Sequence, residues 1–296
     1  MKSTSLFRCP IVAVIVVCLL SSFTGFLHAH TPALEESTET TFVLNQFRDK
    51  TLDDCVQYMD RLRPKALTAD EKKILKAYGF DLINKHTEIN DPALLDALYQ
   101  KTQRVLEFHH RAGIVEYLLF KNHDPVLMTK AGAFIAISNR ALKVVKDDQA
   151  LSGIIAHELS HEYFALQFLE ARNARDYQKL RIIELMCDAL STITMLKLDM
   201  NPDKYSSALE KIIRNSEGSE QLNDGSREMP SLESRLHVIA EIKNQFSNNG
   251  PRNSLDKGNT SYAQSYTLGT AGHDTRDRAR YLFLFNPSSR RLPPIA

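Results

Sequence analysis

No charge imbalance marks this chain: 37 Lys and Arg stand against 36 Asp and Glu over 296 residues, a formal net charge of +1. That removes the global basic field by which nucleic-acid-binding proteins attract phosphate. Zinc-finger spacing, aromatic-basic RNA motifs and glycine-rich phosphate loops are missing as well, so no nucleic-acid partner is expected. Cysteine is scarce. Of Cys9, Cys18, Cys55 and Cys187, none forms a C-x-x-C pair and two fall in the N-terminal leader, which leaves at most one internal disulfide. Helix-borne positions for Cys55 and Cys187 favour two free, buried thiols. Internal repeats are absent, and beyond the leader no run is long and apolar enough to cross a bilayer.

What is present begins with that leader. Lys2 and Arg8 precede an apolar core at Ile11–Leu20, and Leu27-His28-Ala29 is an acceptable cleavage site, so residues 1–29 read as a secretory signal. Ser21, Ser22, Thr24 and Gly25 weaken the competing reading, an uncleaved membrane anchor over Cys9–Leu27. The body is therefore expected to be soluble and exported, to the periplasm or beyond, with membrane contact only if the leader is retained. Its length suits one large or two small domains.

Along the body the periodicity predicts mainly helices. Residues 30–64 form an N-terminal segment with mixed helical periodicity from Thr41 to Arg63, ending at Pro64. Thr68-x-x-Glu71 is a capping box opening a helix to Lys85, and Asp91-Pro92 starts another that runs to His110. Val115–Phe120 and Ala133–Ser138 are short, β-prone and bounded by turn residues, so both are expected strands. Asn201-Pro202 caps a helix through Ile213, and Pro230–Phe246 reads as a last one. The main domain spans 65–246; residues 247–296 form an irregular tail whose one candidate strand is Tyr281–Phe285.

The chemistry concentrates in Ala150–Phe164, which contains His157-Glu158-x-x-His161. Residues four apart lie one above the other on a helix face, so both imidazoles can meet one metal ion. Glu158 then lies beside the metal, placed to take a proton from an attacking water. No Gly or Pro falls between Ile154 and Gln167, and Asp147 and Asp148 can cap the helix. His109, His110 and His123 are isolated and read as ordinary surface or core histidines.

A peptidase zinc needs a third protein ligand. Glu162–Met200 also lacks Gly and Pro, and the polar cluster Glu170–Asp176 divides it into two helices. If they form an antiparallel hairpin turning at Arg172-Asn173, His161 falls opposite Glu184 and His157 opposite Asp188. Apolar Ile182, Ile183, Leu185 and Met186 surround Glu184, and a buried unpaired carboxylate is costly. A metal removes that cost. Asp188, one turn on, is placed to accept the other ring N–H of a ligand histidine.

With Glu184-Leu185-Met186-Cys187-Asp188 in view, the chain resembles the gluzincin zinc peptidases that include the CAAX prenyl protease and the HtpX heat-shock protease. Their signature is H-E-x-x-H followed by E-x-x-A-D, with Cys187 here in place of the alanine. Ala133–Ser138 resembles the family's edge strand, and Pro230-Ser231-Leu232-Glu233-Ser234-Arg235 its final H-P-x-x-x-x-R segment. The likeness covers residues 85–246. It implies an α+β, helix-rich, zincin-like fold holding one Zn2+ on His157, His161 and Glu184, with Glu158 as general base and Arg235 assisting the oxyanion. Extended polypeptide substrates would lie along the edge strand, in a role such as envelope protein quality control. Two features depart from the pattern: the gap between His161 and Glu184 is short, and Met229 stands where the family has an oxyanion-stabilising histidine. Met229 favours a rival expectation, a metal-clamped module that binds extended polypeptides without cleaving them.

Overall fold

In the computed structural model, residues 37–64, 68, 70, 88–130, 134–216 and 228–247 are described. The expected leader, the Thr68–Lys85 helix and the tail strand lie outside them, apart from Thr68 and Asp70. Nine α-helices and three strands occur among the described residues: α1 Thr38–Phe47, α2 Leu52–Leu62, α3 Pro92–Phe108, β1 Glu116–Phe120, β2 Leu127–Lys130, β3 Phe134–Ser138, α4 Asn139–Val144, α5 Asp148–Ser160, α6 Ala165–Ala174, α7 Tyr177–Lys197, α8 Pro202–Arg214 and α9 Leu232–Ser247. The result is helix-rich with a small mixed sheet, compatible with the α+β class.

Local chemistry accounts for most of the boundaries. Asp91, Asp147 and Asn201 each accept a hydrogen bond from a backbone N–H in the helix they start, and Pro follows at the first position of α3 and α8. The stretch with mixed helical periodicity from Thr41 to Arg63 falls into two helices, α1 and α2. Asp49 takes a positive φ of 61°, and Thr51 with Asp54 forms a capping box that restarts the chain as α2. None of the described helices is long and apolar enough to cross a membrane.

α5 and α7 are the two central helices, and each is buried on most of its sides. Glu158 alone in α5, apart from its first two residues, escapes full burial. A helix of this kind belongs in an interior rather than at a surface. On one side of this pair, Leu151, Ile154 and Ile155 join α3, the sheet and α8 through Val105, Leu106, Ile135, Ile137 and Leu209. On the other, Ile183, Leu190 and Ile193 meet α1, α2 and α9 through Val43, Phe47, Met59, Val238 and Ile242. Each such side chain contributes on the order of 1.5–3 kcal/mol on burial.

The sheet order is β1-β3-β2, with β1 parallel and β2 antiparallel to β3. The expected edge strand around Ala133–Ser138 is therefore corrected: β3 is the middle strand and is buried along its length. Among the described residues the outer strands are β1 and β2, and the four residues of edge strand β2 carry too little β-pattern to stand out in sequence. On the far side of β1, Ile89 N–H donates to Leu119 O at 2.8 Å. Ser138 ties the strands together, since its Oγ accepts from Val126 N and donates to Asp124 O while capping α4.

Candidate metal centre

One turn of α5 and the turn after it supply two imidazoles. His157 lies in regular helix, whereas α5 ends at Ser160 and His161 opens a 3₁₀ turn, His161–Phe164. Buried partners explain the break. Arg111 Nε donates to Glu162 Oε2 at 2.7 Å, Tyr163 OH lies 2.9 Å from His109 Nδ1, and Phe164 is buried in full. The turn allows these three consecutive side chains to face inward together, and Phe164 leaves helical dihedrals at φ −115°, ψ 15°. The chain reverses later than expected, at Arg175 in the left-handed region (φ 56°), with Asp176 capping α7.

α7 brings Glu184 against both rings. His157 Nε2 is 3.5 Å from Glu184 Oε2, and His161 Nε2 is 3.6 Å from Glu184 Oε1. One ligand atom from each of the three residues lies within 4.8 Å of the others, a cluster able to hold a metal ion. A tetrahedral ion with bonds of about 2.0–2.1 Å separates its ligand atoms by about 3.3 Å, close to these spacings. Two imidazoles and a carboxylate are also a donor set that zinc accepts.

Behind His157 lies a buried polar knot. Asp188 Oδ1 is 2.9 Å from His157 Nδ1, and it accepts from Arg235 Nη2 at 2.6 Å and from the Tyr205 hydroxyl. Arg235 Nε donates to Asp188 Oδ2 at 2.7 Å, and its Nη2 stands 3.4 Å from His157 Nε2. Burial opposes ionisation of Asp188, yet the Arg235 charge and hydrogen bonds hold its carboxyl well below the usual range. Burial likewise opposes the charge of Glu184, but the flanking His161 and His157 keep it ionised. Burial also works against a charged His157, and the Asp188 hydrogen bond and charge overcome this, raising it to about 9. Without a metal, then, the carboxylates draw a proton onto His157. A bound cation would displace it.

Glu158 faces the sheet rather than the ligand cluster's core. Its Oε2 accepts from Thr129 N at 2.9 Å, a main-chain N–H of the edge strand β2. Burial pushes its carboxyl up to about 7, the value that suits a proton acceptor working at neutral pH. Met229 is half-buried just before α9 and is not a member of the ligand cluster. His109 is buried between Tyr163 and Thr194, and it too is outside the cluster. Cys55 and Cys187 are free and buried.

Sequence reasoning passed over Tyr205 and Thr129. Tyr205 reaches Asp188 because α5 has no side chain at Gly153, where a Cβ would meet Tyr205 Cβ at 2.6 Å and Met195 Sδ at 2.8 Å. A glycine inside a helix costs about 1 kcal/mol relative to alanine, so Gly153 was itself a signal of close packing. Nothing local pointed to Thr129. No protein-family model matches the chain, and no curated protein matches it in sequence. The site thus rests on its own geometry.

Proposed function

We propose that the protein is an exported zinc-dependent endopeptidase acting on polypeptides. The observation that carries this reading is Glu158, held by a main-chain N–H of β2 and in electrostatic contact with His157 and Glu184 of the cluster. Zinc, bound by those three side chains, would supply Lewis acidity toward the scissile carbonyl and lower the pKa of water toward about 7. Glu158, already poised near neutrality, takes the proton of the attacking water and returns it to the leaving amine. Asp188 keeps the proton of His157 on Nδ1, so that Nε2 faces the ligand cluster. Arg235 holds Asp188 and adds fixed positive charge beside His157, where it favours a developing oxyanion. Export is supported by the basic start and apolar run within residues 1–29, a pattern that reads as a secretory signal.

The test uses unfolded casein with and without a chelator, alongside Glu158→Gln and elemental analysis of each protein. Wild type should contain one zinc and cleave casein only without chelator, whereas Glu158→Gln should retain zinc and lose nearly all cleavage. Undiminished cleavage by Glu158→Gln would place the activity elsewhere. Zinc retained with no cleavage by wild type, but with casein bound, would favour the metal-clamped binding module.

A further inference from the structure

We propose that Cys187 is a positioning residue for His161: its sulfur accepts the Nδ1–H of that ring and turns Nε2 toward the metal. The inference rests on the metal-site reading above. The two nitrogens of His161 face two residues of one helix, with Nε2 3.6 Å from Glu184 Oε1 and Nδ1 3.5 Å from Cys187 Sγ. His157 repeats the arrangement, with Nε2 toward Glu184 and Nδ1 toward Asp188. Positions three and four residues after Glu184 both lie one turn along the same face of α7. One carboxylate ligand is therefore flanked by two acceptors, each serving one imidazole.

An imidazole that binds a metal through Nε2 carries its proton on Nδ1, and a buried N–H left without an acceptor is costly. The side chain within reach of that nitrogen is the Cys187 thiol, which is wholly buried and accepts only weakly. The bland alternative is that Cys187 is a small apolar filler. The two readings differ in what happens to the metal when volume is kept and the acceptor removed.

The experiment titrates Co(II) and zinc into metal-free full chain for wild type, Cys187→Ala, Cys187→Val and Cys187→Ser, reading affinity by chelator competition and the visible Co(II) spectrum. Cys187→Ala should weaken binding by about 10-fold, the lower end of the range for such ligand-orienting partners, and should shift the Co(II) bands. Cys187→Val, which fills the space without an acceptor, should show the same loss, so a folding failure in one variant leaves the other to decide. Cys187→Ser, which restores an acceptor, should recover most of the affinity. Wild-type affinity and spectrum in a folded Ala or Val variant would overturn the proposal while leaving the metal site standing. A wild-type chain that binds neither metal would overturn the metal reading itself, and this proposal with it.

Discussion

His157 and His161 belong to one motif, yet their surroundings share little. His157 sits in unbroken helix with its Nδ1 against Asp188, Tyr205 and Arg235, contributed by three further helices. His161 lies on a 3₁₀ turn, its side chain is 21% exposed, and its Nδ1 faces the Cys187 thiol. The first ring is anchored by charge, the second by backbone shape and a weak acceptor. A charged anchor in a closed interior is strong but unforgiving, because losing one partner strands the other.

The sharpest way to break this asymmetry is Asp188→Ala, which leaves the Arg235 guanidinium buried without its partner. It should destabilise the metal-free protein by about 3–5 kcal/mol in urea unfolding, the cost of splitting a buried pair. The double variant Asp188→Leu/Arg235→Met should recover most of that stability, because both charges leave together. If Asp188→Ala unfolds at the wild-type midpoint, the anchor is not charge.

A second buried histidine, His109, sharpens the comparison through pH. Burial, with the nearby Arg63 and Arg111 charges, pushes His109 down to about 3. The unfolded chain binds a proton there near pH 6.5 while the folded chain does not, so stability is lost as pH falls from about 6.5 toward 3. At pH 5 this group should cost roughly 2 kcal/mol relative to pH 7.5. His109→Gln should remove that part of the slope, measured as the difference between its unfolding curves and those of wild type. An unchanged slope would assign the acid sensitivity to the metal-site residues instead.

The smallest expected effect is at Gly153. A Cβ there would press on the base of the Tyr205 side chain, which cannot swing away, and on the Met195 sulfur. Overpacking of this kind costs about 1–3 kcal/mol, offset by up to about 1 kcal/mol of gained helix propensity in Gly153→Ala. A melting temperature lowered by a few degrees is expected, with tighter consequences at His157 than at His161. A raised melting temperature would mean that Tyr205 yields readily and is not a fixed part of the anchor.

The ligand cluster was legible because it depends on local periodicity. Spacing of four from α5 into the turn that follows it, and the return of α7, bring His157, His161 and Glu184 together. The chain reverses at Arg175, three residues beyond the expected turn at Arg172-Asn173, and a 3₁₀ turn at His161–Phe164 separates α5 from α6. Strand order was not legible. β3 has the stronger apolar pattern because it is the buried middle strand, and the edge strand beside Glu158 is short and weakly patterned.

By itself the sequence determined where helices start, through Asp91, Asp147, Asn201 and their neighbours, and which residues of α5, the turn after it and α7 are of types that can bind a metal. These are short-range matters, decided within a turn or two by capping and face periodicity. Tertiary structure alone decided that Arg235 and Tyr205 close on Asp188, and that a main-chain N–H of β2 holds Glu158. Arg235 lies 47 residues along the chain from Asp188, and Thr129 lies 29 from Glu158. No local rule links positions so far apart. Their meeting depends on how α8 and α9 cross α7, on the missing side chain at Gly153, and on the order in which three strands pair.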